Sequence, residues 1–497
     1  MPGDDLVLPP TKLARVSPKT DFSTFEIGRA LDMPSVLPGP TPPHPNSKAA
    51  DIEPTTPTVT GSVERHDSEA TSRTVSGDLM ELLDLSQLDS MSAIETRFNQ
   101  IASDLLHNYR IEVKSAKGAE QLEVLEVEFY LYKTGCHEDP FTHASPEQSQ
   151  RGRWYFHRPP SRSSDPGTPT TVTPNGYRGG TRKGLDVTLG RAPPAITSKF
   201  FPVPPSTSNA ASSEGGDIVR GGALFRSVRR VSDRKVISGP SLLVDEVLRL
   251  SGAKEIAELV AVNWNSDISA FPPPDTPSPS SSSILDTATQ LRQLPASTTG
   301  YLPPERLSTM YLVRTARASY TAPTAASGKD ALVEGKLRIF RSPRIGLDIS
   351  HPSVPSASSS SSASAALAHP RVTFIARLYR FFVSPYLLTS NGRGQSFVGV
   401  HDALVARGHC ANDEELLGEL VRLTGLKGPT ATKYLVELRA GLAHGTLAEW
   451  TGPKGKAVSS SVTAWVRMIG TLRGLNASVQ EVERAKPEQE GGSVSSG

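Results

Sequence analysis

The chain is poor in cysteine, in aromatic residues and in long apolar runs. Its 497 residues hold two cysteines, Cys136 and Cys410, far apart in sequence. So few thiols exclude a Cys-rich zinc or iron–sulfur site and a disulfide scaffold, and they fit a reducing compartment. No apolar run approaches the length of a membrane span, so no membrane partner is expected. The N-terminus carries Asp4 and Asp5 and lacks the apolar core of a signal peptide, which leaves cytosol or nucleus. A net charge of +2 does not announce a nucleic-acid binder, so the local distribution of charge has to decide. Aromatics make up 6% and hydrophobic residues 37%, while Pro and Gly number 42 and 40. Much of the excess Pro, Ser and Thr falls in tracts that bury too little apolar surface to offset ordering entropy.

One folded domain interrupted by low-complexity inserts follows from that distribution. Residues 1–77 and 476–497 read as disordered tails, 78–396 as the main domain, and 397–475 as a separate helical extension. The inserts fall near 159–175, 191–216, 271–285 and 353–368, and core-like pattern resumes after each. A helix is expected to start near Ser86: Met91, Ile94, Phe98, Ile101 and Leu105 recur at helical spacing, and Asp89 and Ser90 are cap candidates for its main part. From Gln121 to Tyr132 the chain alternates as a strand does. Leu125, Val127, Phe129 and Leu131 share a wholly apolar face; the other carries Glu126, Glu128 and Tyr130, which suits a cleft wall. Further strand-like runs are Arg153–His157, Gly184–Leu189, Gly222–Val228, Leu337–Phe340 and Phe374–Val383, with a helix expected from Ser241 to Leu250.

The words that suggest chemistry come in a fixed order. Glu128-Phe129-Tyr130 is followed by Asp139-Pro140-Phe141-Thr142-His143 and Gly152-Arg153-Trp154-Tyr155-Phe156-His157. Then come Gly184-Leu185-Asp186-Val187-Thr188, Gly222-Ala223-Leu224-Phe225-Arg226 and Ser238-Gly239-Pro240-Ser241. Pro343-Arg344-Ile345-Gly346 and Tyr379-Arg380-Phe381-Phe382-Val383 close the series. In this order, across roughly residues 78–390, the chain resembles the alkyladenine (3-methyladenine) DNA glycosylase family.

The resemblance implies a mixed α/β (α+β) fold, a single domain around a curved antiparallel sheet. It implies no metal and no cofactor. The partner it implies is double-stranded DNA containing damaged purines, bound by a monomer in the nucleus, with mitochondrial activity left open. Glu128 matches the family's general base for water, and Arg226 an Arg that holds the water and the DNA backbone. Tyr130 and His143 match residues that sandwich and hydrogen-bond a flipped purine. Tyr155 and His157 fall at further stacking positions. Asp186 stands where the family usually has Asn, at the wall that discriminates purines. The family's base-stack-inserting Tyr is missing at its expected place, where Arg158-Pro159-Pro160 enters an insert, and Tyr177 is the nearest candidate.

Elementary chemistry runs parallel to this. A stacked base is unreachable, so the enzyme must extrude it and hold it between flat side chains. Cleavage of the N-glycosidic bond passes through a positively charged sugar, which a carboxylate stabilises while taking a proton from water. Two basic clusters flank these words in sequence: Arg178, Arg182 and Lys183 among glycines, and Arg226, Arg229, Arg230, Arg234 and Lys235. A phosphate-binding edge is the reading favoured over a solvated face. Gly425-Leu426-Lys427-Gly428-Pro429-Thr430-Ala431 is similar to a helix-hairpin-helix DNA element but has two residues between its glycines rather than one. A helical pair with a Gly turn is the favoured reading there. The alternative to a repair enzyme is a non-catalytic DNA-binding or adaptor protein on the same fold; a group transferase has no cofactor motif to support it.

Overall fold

The computed structural model describes residues 78–159, 176–191, 218–273, 306–315 and 332–485, apart from 334–335, 356–359, 389–390, 409, 453–457 and 459–460. The expected tail 1–77 and the interiors of the first three inserts lie outside the described residues, apart from their edge positions 159, 191 and 271–273.

A short helix α1 (Leu79–Leu82) precedes α2 (Met91–His107). Ser90 caps α2 by accepting from the Ala93 N–H at 3.3 Å. Ile94, Phe98, Ile101 and Leu105 form its fully buried stripe. The stripe packs on β2 (Gly118–Lys133), where the Phe98 and Phe129 rings stack at 4.5 Å. Leu125, Val127, Phe129 and Leu131 fill the core as their alternation requires.

β2 is the spine of one curved antiparallel sheet, to which ten strands belong among the described residues. β6 (Val219–Arg230) runs along one edge of β2, followed outward by β5 (Leu185–Leu189) and β4 (Trp154–Phe156). The other edge is shared by β1 (Tyr109–Ser115), β12 (Arg380–Phe382) and β3 (His137–Glu138) in turn. β8 (Ser308–Arg314) lies outside β1, β11 (Phe340–Ser342) outside β12, and β7 (Val236–Ser238) pairs with the end of β6. The strands on both sides of the first three inserts thus join a single sheet. α3 (Pro240–Ser251) packs on β6; Gly239 precedes it at φ 121° and Gly252 ends it in the left-handed conformation. A short α4 (Ile256–Glu258) follows.

Several expectations need correction. The tract at 353–368 is helical from Ser360 to Ala368 (α5), with Ala366 fully buried, because alanine-rich sequence needs only a surface to pack on. Phe374–Val383 is not one strand: α6 (Pro370–Ile375) occupies its start and β12 its end. Pro370 sits at the first helical position, where its fixed φ and missing N–H are tolerated, and the His369 ring accepts from the Arg371 N–H. Leu337–Phe340 divides between β10 (Lys336–Leu337), paired with β9 (Leu332–Val333), and β11. β1 and β8 are strands that the sequence reading passed over.

The helical extension is not separate. It comprises α7 (Arg393–Val405), α8 (Asp413–Thr424), α9 (Gly428–His444) and α10 (Val462–Ala485), which continues into the expected tail. α7 lies so close to β11 that a Cβ on Gly399 would overlap the Arg341 carbonyl oxygen. Arg380 of β12 donates to Ser396 of α7 at 3.1 Å. Gly399→Ala is therefore expected to lift α7 from the sheet and lower stability by ~1–3 kcal/mol. A fall in the urea midpoint at unchanged slope would show this; an unchanged midpoint would refute the close docking.

Candidate active site

One cross-strand row organises the concave chemistry of the sheet. Tyr155 pairs with Asp186, Asp186 with Leu224, Leu224 with Glu128, Glu128 with Arg380, and Arg380 with Ser342. Directly opposed residues project to the same face, so six strands present these side chains together. All are buried. Tyr130 stands two residues along β2 from Glu128, on the same face, opposite Gly222.

Glu128 has 0% exposure. Its Oε2 accepts from the Tyr130 hydroxyl at 2.8 Å and from Arg226 at 3.2 Å; its Oε1 accepts from the Ile345 N–H at 2.8 Å. The β2–β6 register shifts twice at Val124–Val127, leaving Leu125 and Arg226 as the unpaired residues of two opposed bulges. A bulge re-aims a side chain, and this one turns Arg226 toward both Glu128 and Glu126. Burial works against the Arg226 charge, but the two carboxylates more than offset it and raise its pKa. Burial and the neighbouring Glu128 push the Tyr130 phenol well above its ordinary value, so it stays a donor.

Glu126 is a structural acid and is not solvated. It accepts from Arg380 at 2.6 Å and from Ser227 at 2.5 Å. Burial opposes its ionisation, yet Arg380 and Arg226 overcome this and lower its pKa. A further enclosed pair, Arg344 with Asp139, lies alongside, and the Arg344 guanidinium sits 4.4 Å from the Tyr130 ring centroid. Burial weighs against the Arg344 charge, but Asp139 raises its pKa.

Above this layer is a cavity of about 210 Å³. Tyr130, Phe141, His143, His157, Asp186 and Leu224 line it, with Arg178 and Leu347 at its wall. Glu128 lies behind it: Tyr130 and Leu224, its neighbours along and across the strand, stand at the wall. His143 and His157 meet at 4.5 Å between ring centroids, with the Tyr155 ring 6.3 Å from His143. Asp186 is committed on both oxygens, to His157 Nε2 at 2.9 Å and to Gln148 Nε2 at 3.2 Å. It thus sets the His157 ring rather than offering a free acceptor to the cavity. Two glycines make this possible. A Cβ on Gly222 would come within 2.7 Å of Asp186, and one on Gly184 within 2.5 Å of the His157 ring.

The remaining sequence candidates divide. Arg178 is at the cavity, held by its Nε donating to the Arg158 carbonyl at 2.8 Å. Arg182 is exposed in the next turn, Gly180–Arg182, and among the described residues has no ion-pair partner. Lys183 is paired with Asp245. Arg229 and Arg230 correct the expectation that both basic clusters border the site. Arg230 lies six residues along β6 from Leu224, ~20 Å at strand rise, and the two are matched by Glu123, Asp233 and Glu246. Tyr177 packs beneath Arg158 at 4.2 Å and beside Phe156, which is not the posture of a side chain free to enter a base stack. Gln148, Leu347 and the Ile345 N–H were given no role from sequence. Only the fold brings them here.

Burial first, and then the nearby His157, lower the His143 pKa to about 4. The ring is therefore neutral at pH 7. Because its folded value lies below the ordinary 6.5, the stability tied to it is complete above that value and is lost as pH falls toward 4. An NMR titration of the ring carbons should give a midpoint near 4; a midpoint at the ordinary value would place the ring in free solvent. Asp139→Asn should leave Arg344 buried without its counter-charge and cost ~3–5 kcal/mol, read by denaturant unfolding; a loss below ~1 kcal/mol would contradict the enclosed pair.

No protein-family model matches the chain, and no solved structure matches it. An uncharacterized protein, L759, of Acanthamoeba polyphaga mimivirus is 30% identical over 175 residues, which cover 35% of this chain and 67% of the viral protein. The chain belongs to the same family as that viral protein.

Proposed function

We propose that the chain is a purine DNA glycosylase, which extrudes an alkylated or deaminated purine from duplex DNA and hydrolyses its N-glycosidic bond. The observation that carries this reading is a cavity of about 210 Å³ walled by Tyr130, His143 and His157, with the Glu128 carboxylate hydrogen-bonded to the Tyr130 hydroxyl behind it. A volume of about 210 Å³ is below the ~300–1,000 Å³ of drug-sized ligand sites, as a base alone requires.

The residues then divide the work. Tyr130, His143 and His157 hold the base by stacking. A neutral His143 does not repel a purine made cationic by alkylation, and the electron-rich Tyr130 face attracts one. The bond between C1′ and the purine nitrogen breaks with its electron pair leaving on the purine. Water adds to C1′, and its proton passes to Glu128. Arg226 holds the carboxylate in place. Seating of the base against Tyr130 draws the phenol off Oε2 and opens that oxygen to water. The repair role, a nuclear setting and action as a monomer go with this reading.

The complete enclosure of Glu128 by three donors favours a second reading, a non-catalytic DNA-binding protein on the same fold. The two part in one assay. Duplexes carrying 3-methyladenine, hypoxanthine or ethenoadenine are incubated with the protein, and strand cleavage is read after alkali. The enzyme reading expects cleavage at the lesion without added metal, reduced ~10²–10⁴-fold in Glu128→Gln. Binding without cleavage of any of these duplexes would sink it in favour of the second reading.

A further inference from the structure

Beyond the base cavity the wall continues as two more hollows. The first, of about 370 Å³, shares Leu347 with the base cavity and reaches Asn391, Arg393 and Trp465. The second, of about 380 Å³, shares Arg393 with the first and reaches Ser396, Lys427 and Thr430. The three therefore follow one another from the sheet onto the helical extension. Packing fixes this succession: Ile345, whose N–H binds Glu128, presses its side chain on Gly392, one residue before Arg393.

The chemistry of the two outer hollows is of one sign. Among the described residues neither has a carboxylate in its lining; Arg393 lines both and Lys427 the second. Arg393 and Lys427 are both exposed. Trp465 is 4% exposed and lines the first hollow, and its indole N–H has no hydrogen-bond acceptor among the described residues. Part of the first hollow's wall is bare backbone: a Cβ on Gly346 would meet nothing within 4 Å. Such openness lets a phosphodiester come close to N–H groups. Gly425, at φ 69°, ends α8 and turns the chain into α9, so that Lys427 stands at the tip of a tight hairpin. Among the described residues α7 and α9 both begin without a side-chain cap, which suits an anion in addition to the cations.

We propose that α7, the α8–α9 hairpin and the start of α10 form a track for the phosphodiester backbone of the DNA strand that flanks the extruded nucleotide. The proposal rests on the reading of the base cavity for the identity of the nucleic acid and for the strand's starting point. The helical extension is then the second DNA-binding surface, and the turn at Gly425–Gly428 serves it although its spacing departs from the helix-hairpin-helix pattern.

The test is salt-dependent binding by the full chain. Fluorescence anisotropy is measured on a duplex carrying a tetrahydrofuran abasic site at a series of salt concentrations. The double variant Arg393→Gln with Lys427→Gln should bind more weakly, and its slope of log affinity against log salt should be shallower by about 1.8, ~0.9 for each lost phosphate contact. The charge-keeping variant Arg393→Lys with Lys427→Arg should retain the parent slope. An unchanged slope in the double variant, or no binding by the parent chain, overturns the track. Purine release by the parent is assayed in parallel. A lost slope without purine release keeps the track and removes the glycosylase reading; release with an unchanged slope does the reverse.

Discussion

Glu126, Glu128 and Asp139 are enclosed on one side of a sheet together with Arg226, Arg380 and Arg344. Burying a charge is costly unless it is paired and hydrogen-bonded. Each of these groups meets an opposite charge, and the second lone pairs of Glu126 and Glu128 are taken up by Ser227, Tyr130 and the Ile345 N–H. The arrangement needs strands from distant parts of the chain at once. Glu126 and Glu128 come from β2, Arg226 from β6, Arg380 from β12, and Arg344 from the turn after β11. The inserts that separate these segments in sequence are thus constrained to leave and rejoin the sheet in register. A one-residue slip of any one strand would turn its member of the row to the opposite face.

This charge layer explains why the aromatic hollow above it has a defined shape. Tyr130 is fixed from below by Glu128 and by the cation of Arg344 against its ring. His157 is fixed by Asp186, and Asp186 by Gln148 and by the space that Gly222 leaves. A site whose walls are held by partners behind them is preorganised for a flat ligand. The same layer restrains the candidate base: its acceptor sites are occupied until Tyr130 moves. In the enzyme reading, binding of the base and exposure of the carboxylate are therefore one event, which limits water attack to the occupied site.

Legibility in the sequence followed the kind of constraint. Most of β2 could be read, Gln121–Tyr132 of Gly118–Lys133, because Val127, Phe129 and Leu131 alternate with Glu126, Glu128 and Tyr130; the bulge at Leu125 has no local signal. α2 was clear from its stripe, although its start lies at Met91, capped by Ser90, and not near Ser86. Tyr130, His143, His157 and Asp186, named by position in short words, line one hollow, with Glu128 and Arg226 beside it; Tyr155 stands behind His143 and lines a different hollow. What local pattern could not contain is contact across the chain. Arg229 and Arg230 look like a phosphate-binding edge until Glu123, Asp233 and Glu246 are folded against them. Tyr177 looks free until Arg158 covers it. β1 and β8 do alternate as strands, with Tyr109, Ile111 and Val113 inward in one and Ser308, Met310 and Leu312 inward in the other, so both were legible and were passed over. The docking of α7 depends on Gly399 and Arg341, far apart in sequence, which have no signal until helix and strand meet.

The central claim is that Tyr130 yields Glu128 to water when a base enters the hollow. A structure of the full chain bound to duplex DNA containing ethenoadenine tests it most directly. The account predicts the modified base seated against the Tyr130, His143 and His157 rings, with the phenol moved off Glu128 Oε2 and a water in its place. A base still stacked in the duplex, with Tyr130 still closed over the carboxylate, would contradict it.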